Sequence, residues 1–111
     1  MRVIIAGSRW IDDYELVKKH ILRSEFEITE VVSGCCRGVD TLGEDFADEI
    51  GVPVKPFPFV KGAGKAGVPI RNQQMAEYAD ALILIWDGES KGSLDMLRKA
   101  TKEKLMVYTN I

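Results

Sequence analysis

The sequence is poor in the side chains that build most metal and redox centres. Its 111 residues include one histidine, His20, and two cysteines, Cys35 and Cys36, which are neighbours. A three-histidine metal site is therefore impossible, and two thiols cannot hold zinc without other ligands. Adjacent cysteines rarely bridge. Reduced thiols and the lack of a signal peptide lead to the expectation of a cytoplasmic protein. No apolar run approaches the roughly 20 residues needed to cross a bilayer. Positive charge is not in excess either: 15 Lys and Arg face 17 Asp and Glu, a net charge of −2, with a pI near 5.4. That balance argues against a surface dedicated to coating nucleic acid. The chain also lacks the aromatic–basic stripe used by single-strand binders.

What is present is an ordinary globular composition, 46% hydrophobic and 29% charged. A chain of this length makes one domain. It can bury roughly two-thirds of its unfolded surface, enough for a core without staples.

The most informative stretch is VVSGCCRGVD, residues 31–40. Ile28, Val31 and Val32 read as a strand of β-branched residues. The chain breaks at Ser33-Gly34, turns through Cys35, Cys36 and Arg37, and restarts at Gly38 as a helix. That helix carries Val39, Leu42, Phe46, Ala47 and Ile50 at spacings of three and four. A small-residue loop feeding a helix leaves the helix's first N–H groups free, and with the helix dipole they suit an anion such as phosphate. A tight connection with no ligand reads the same way, so this turn alone decides nothing.

The rest of the chain repeats the pattern. Residues 2–6, RVIIA, suit a central parallel strand buried on both faces, and Gly7, Ser8 and Arg9 follow at its end. Asp12 or Asp13 can cap the next helix, which runs to about Arg23 with Tyr14, Leu16, Val17, Ile21 and Leu22 as its apolar content. His20, among Lys18, Lys19 and Arg23, reads as a solvated face residue. Gly51 suits the end of the second helix. VPVKPF, residues 52–57, reads as an edge strand because of Pro53 and Pro56. Residues 58–68 form the one long irregular segment, and a lid or binding loop is expected there. Pro69 suits the first turn of a third helix, with Arg71 and Asn72 near its start. ALILIW (81–86), the turn DGESKGS, a helix with Leu94, Leu97 and Ala100, and LMVYTN (105–110) complete the chain.

Five strands alternating with helices call for an α/β architecture. It is a three-layer domain with a five-stranded parallel sheet and helices on both faces, in the order 3-2-1-4-5. In such sheets ligands bind beyond the C-terminal strand ends, where the order reverses. The turns GSR, SGCCRGVD and DGESKGS are then expected to converge on one crevice. Trp10 is the better candidate to stack on a base there, while Trp86 reads as core. Cys35 has no histidine to serve as its base, which argues against a nucleophilic thiol.

Taken together and in order, GSR, SGCCRGVD, GKAGVPIRNQQM and WDGESKGSLDM resemble the blocks of one superfamily of small Rossmann-like proteins. It is shared by DNA processing protein A, the LOG phosphoribohydrolases and the YspA-like and YpsA-like proteins (SLOG). The YspA-like blocks SGGxxGVD, AGxxRNxxM and WDGxSxGT are the nearest in pattern, and the similarity runs from Val3 to about Val107. The resemblance implies a nucleotide-derived ligand such as AMP, ADP-ribose or an NAD-related compound; no metal ligand is assigned, and Asp87 and Glu89 would face ribose hydroxyls, a magnesium ion or solvent. It carries ligand-binding roles onto Gly7, Ser8, Arg9, Gly34, Arg37, Gly38, Asp40, Arg71, Asn72, Asp87, Gly88, Ser90, Gly92 and Ser93. The phosphate is expected on the N–H groups of Gly92, Ser93 and Leu94. Dimers are common among such relatives, so a homo-oligomer is expected.

The LOG enzymes cleave an N-glycosidic bond with an arginine at the place of Arg71 and an acid whose position here is taken by Met96. Asp95, one residue earlier, is then the catalytic carboxylate to expect beside Arg71, with Asp40 second. Three functions follow: a sensor or sequestering module for a nucleotide, a nucleotide N-glycosidase, and a single-strand nucleic-acid binder, against which the acidic pI weighs.

Overall fold

The computed structural model describes all 111 residues. Its five strands are β1 (Arg2–Gly7), β2 (Glu30–Ser33), β3 (Val54–Pro56), β4 (Ala81–Ile85) and β5 (Met106–Thr109). They form one parallel sheet in the order β3-β2-β1-β4-β5. The expected Rossmann-like α/β architecture is therefore the one observed. The four α-helices are α1 (Tyr14–Ser24), α2 (Val39–Ile50), α3 (Gly67–Tyr78) and α4 (Lys91–Lys102).

Alternation along the central strands sorts side chains to two apolar layers. Val3, Ile5, Ile83 and Ile85 pack with Val17, Ile21, Val39 and Phe46 of α1 and α2. Ile4, Ala6, Leu82 and Leu84 pack with Met75, Ala76, Met96 and Ala100 of α3 and α4. Full burial on both faces is why β1 and β4 lack polar alternation. Strand β3 is short and lies at the sheet edge as expected, with Pro56 at its end and Pro53 just before it, since a proline cannot donate to a ladder.

Helix boundaries follow local chemistry. Asp13 caps α1, its Oδ1 accepting from Leu16 N at 3.1 Å. Gly51 closes α2 in the left-handed conformation. Helix α3 starts at Gly67, two residues before Pro69, and a 3-10 turn over Gly64–Ala66 leads into it. Segment 58–68 is thus shorter as a loop than its composition suggested. Leu22 and Ile50, expected in apolar stripes, are exposed at the helix ends. His20 is not a solvated residue: it is half-buried against β5, with Nδ1 2.7 Å from the Tyr108 hydroxyl. Burial first, then the neighbouring charges of Lys19 and Arg23, hold its pKa below the ordinary value.

Candidate functional site

The order reversal between β2-β1 and β4-β5 puts the turns after β1 and β4 side by side, and backbone hydrogen bonds lock them. Ser8 N donates to Ile85 O at 3.1 Å, and Val39 N donates to Ser8 O at 3.3 Å. The turn after β2 crosses the turn after β1 at Gly38. Its φ is +80°, and a Cβ there would lie 2.4 Å from Ser8 O and 2.6 Å from Arg9 Cα. Only glycine allows this crossing. The turn after β4 is held by Asp87, whose Oδ1 accepts from Glu89 N (2.9 Å) and Ser90 N (3.2 Å). Its Oδ2 accepts from Trp10 Nε1 at 3.3 Å. Those bonds, the Glu89 N–H foremost, hold its pKa below the usual carboxylate value.

These turns enclose a crevice of about 240 Å³. From the turn after β1 it is lined by Gly7, Ser8, Arg9 and Trp10, and from the turn after β2 by Cys36 and Asp40. Helix α3 supplies Val68, Arg71, Asn72 and Met75, the β4–α4 turn supplies Asp87 and Ser90, and the first turn of α4 supplies Gly92 and Ser93. Arg37 and Gly38 lie on the outer side, where they line a separate hollow with Arg9 and Thr41. Gly34 lies behind Arg71: a Cβ on it would be 2.9 Å from Asp40 Oδ2 and 3.1 Å from Arg71 Cζ. Gly88 sits within the Asp87-held turn, at φ +84°, and does not line the crevice. Asp95 lies in an adjoining hollow with Arg9, Lys65, Ser90, Lys91 and Gly92.

Arg71 is the hub. It is 7% exposed, and its Nη1 donates to Gly34 O at 3.1 Å and to Cys36 Sγ at 3.2 Å. Its Nη2 donates to Asn72 Oδ1 at 3.2 Å. Asn72 Nδ2 in turn donates to Gly92 O (3.2 Å) and Asp95 Oδ2 (2.9 Å). One hydrogen-bonded chain therefore links the turn after β2, α3 and the start of α4. Two polar atoms of crevice-lining residues are buried without a partner: Arg71 Nε, on its Gly34 side, and the hydroxyl of Ser8, a residue 2% exposed. Leaving a buried polar atom unpaired costs about 1–3 kcal/mol.

Asp40 is 5% exposed. Its Oδ2 accepts from Cys36 N at 3.3 Å, bracing the loop that precedes its own helix. Burial pushes its pKa up from 3.8 to about 6; the Cys36 N–H and the Arg71 charge oppose that rise. A buried carboxyl with a displaced pKa in a cleft is a mark of functional sites. Asp95 differs. One of its oxygens takes the Asn72 amide, and the other takes Lys99 Nζ at 2.5 Å. Both oxygens of the expected catalytic carboxylate are thus engaged outside the main crevice. The expected phosphate donors change as well. Ser93 N–H faces the capping Ser90 Oγ, and Leu94 N–H is bonded to Ser90 O. Of the three, Gly92 N–H is left in the first turn. A Cβ on Gly92 would meet only Val68, at 3.7 Å, so packing within the chain does not call for glycine there.

Sequence reasoning missed Ala6, Cys36, Val68 and Met75 as lining residues. Cys36 carried a usable signal, since it lies between two residues expected to bind ligand. Val68 fell at the end of the segment expected to be a lid or binding loop, and Met75 read only as part of the third helix. Trp86 is buried as expected, and Trp10 stands 69% exposed at the crevice mouth.

No family model matches this chain, and no curated protein does. Among solved structures, the X-ray structure of DNA processing protein A from Streptococcus pneumoniae superimposes with a TM-score of 0.76 at 23% identity. The alignment covers 97% of this chain and 49% of that one, so the chain spans about half the length of its solved neighbour. At that identity the likeness establishes the fold.

Proposed function

We propose that this chain binds a nucleotide or nucleotide-derived small molecule in the crevice beyond β1, β2 and β4, as a sensor or sequestering module. We also place it in the SLOG superfamily, on the YspA-like branch. The observation that carries the binding reading is the convergence of Ser8, Arg9, Arg71, Asn72, Ser90 and Ser93, from the turns after β1 and β4 and from α3 and α4, on one crevice. With Arg9 and Arg71 among them, that lining suits an anionic ligand with several acceptors. Charge-assisted hydrogen bonds contribute roughly 1.5–3 kcal/mol each, so two or three support micromolar affinity. The crevice volume, about 240 Å³, lies below the roughly 300–1,000 Å³ of sites that enclose a drug-sized molecule. It therefore favours a ribose-phosphate portion held inside, with the base outside against Trp10. AMP has that shape. ADP-ribose or an NAD-related compound would extend over the adjoining hollow, where Arg9, Lys65 and Lys91 balance Asp95.

A thermal-shift panel of AMP, ADP-ribose, NAD, adenosine, ribose 5-phosphate and a single-stranded DNA oligonucleotide tests this. Stabilisation by AMP and by ribose 5-phosphate, with little from adenosine, is expected. No response to any of them at millimolar concentration would refute it; a response only to single-stranded DNA would replace it with the nucleic-acid reading.

A second reading, nucleotide N-glycosidase, is favoured by Asp40. Cleavage develops positive charge at the anomeric carbon, and a carboxylate fixed nearby stabilises it. Asp40 lines the crevice with its carboxyl poised near pH 6, whereas both Asp95 oxygens are occupied. Base release from nucleoside monophosphates that falls in Asp40→Asn but survives in Asp95→Asn supports it. No release by the wild type removes it.

A further inference from the structure

Trp10 is the most exposed of the large apolar side chains, at 69%, yet its ring is moored. Its Nε1 donates to Asp87 Oδ2 at 3.3 Å, across 77 residues of sequence. The other oxygen of that carboxylate is fixed in turn by the Glu89 and Ser90 N–H groups. The indole therefore grows from the turn after β1 and is tied to the turn after β4, and both residues line the crevice. A lone exposed apolar side chain needs no explanation. One held beside a cleft has already lost rotamer freedom that a ligand would otherwise have to remove, which favours binding against it.

We propose that Trp10 and Asp87 set the ligand class of this site. Trp10 is a stacking platform that selects ribose phosphates carrying a purine, without telling one purine from another, and Asp87 is the positioning residue that holds the platform. This rests on the ligand reading above and narrows it.

Three observations lead there. The crevice, about 240 Å³, has room for a sugar phosphate but not for a base as well, and Trp10 is the one aromatic residue in its lining. Stacking uses the face of the indole, and every base has a face to offer. The indole's single polar atom is already given to Asp87, so the platform makes no contact with a base edge, where adenine and guanine differ. Finally, the Asp87 carboxylate beside the ring repels a phosphate. That turns the phosphate end of the ligand inward toward Arg71 and leaves the base end at Trp10.

A bond that merely stapled the two turns would affect every ligand alike. The ratio of AMP to ribose 5-phosphate affinity separates the two roles, since only AMP carries a base. Calorimetry on the intact chain measures it, with GMP as a third ligand. The wild type is expected to bind AMP and GMP within about threefold of each other, and each about tenfold more tightly than ribose 5-phosphate. Trp10→Ala brings the AMP to ribose 5-phosphate ratio down to about one, and Trp10→Phe, which keeps a ring face, retains most of it. Asp87→Asn leaves Oδ1 to the two backbone N–H groups and sets an amide NH2 against the indole N–H. It lowers the ratio about threefold in the wild type and leaves it unchanged in Trp10→Phe, which has no N–H to moor. Equal binding of AMP and ribose 5-phosphate by the wild type overturns the platform. So does a ratio unmoved in Trp10→Ala, or a preference above about tenfold between AMP and GMP. A ratio unmoved by Asp87→Asn, or lowered equally in both backgrounds, overturns the positioning role. Failure of all three ligands to bind overturns the ligand reading itself and this inference with it.

Discussion

Asp40→Asn separates the cost of the buried carboxyl from everything else that titrates. Asp40 is almost wholly buried, and its pKa rises from 3.8 to about 6 on folding. Between those values the folded chain holds a proton that the unfolded chain has released, so stability falls as pH rises. The contribution is fully present below pH 3.8 and is lost as pH passes through about 6. At 1.36 kcal/mol per pH unit, the rise corresponds to about 3 kcal/mol. Asparagine keeps an acceptor for Cys36 N–H and does not ionise. Glu49 and Asp87, whose pKa values are lowered, and His20 titrate in both proteins, so they cancel in the difference. Urea unfolding of wild type and variant at pH 4 and pH 7.5 supplies the comparison. The unfolded carboxyl is already about half ionised at pH 4, so relative to Asp40→Asn the wild type is expected to lose about 2.4 kcal/mol over that range. With an m-value near 1.5 kcal/mol/M, that is a midpoint change of about 1.6 M. A flat difference would refute the reasoning. A difference of opposite sign would mean that Arg71 outweighs burial and that the carboxylate is a stabilising ion-pair partner. A carboxyl that costs stability at neutral pH is the kind of group retained for a function.

Gly92→Ala should stabilise α4 by about 0.5–1 kcal/mol, since the added Cβ meets only Val68. It should also weaken AMP at least about tenfold, by calorimetry; destabilisation would show a packing reason for glycine. Arg71→Gln removes the donor shared by Gly34 and Cys36 and should weaken AMP about ten- to a hundredfold; unchanged affinity would exclude Arg71 from the site. A proton NMR titration of His20, the single histidine, should give a midpoint below 6.5, because burial disfavours the charged ring. A midpoint above 6.5 would mean that the ring is not desolvated.

The strands were legible because burial on both faces leaves an unbroken apolar run, as in residues 3–6 and 81–85. Strand order followed from their alternation with helices and from the prolines at β3. Helix edges were less legible: Leu22 and Ile50 fit the apolar period yet stand at ends that the sheet does not cover. His20 looked solvated from its lysine neighbours, because a partner 88 residues away in β5 leaves no local trace. At the site, the sequence indicated which turns meet but not which side chains satisfy one another. Asp95 looked available until Asn72 and Lys99 took its oxygens. Ser93 and Leu94 looked like phosphate donors until the Ser90 cap engaged them. The Arg71 contact with Cys36 spans 35 residues and had no signature in either motif.

A two-dimensional amide NMR titration with AMP addresses the shared crevice itself. The account predicts that Ser8, Gly34, Cys36 and Gly92 shift together along one saturating micromolar isotherm, while Asp45 and Glu49 on the far face of α2 and Val107 in β5 stay still. Unmoved amides at millimolar AMP, or shifts confined to one turn or to the β5 edge, would contradict it.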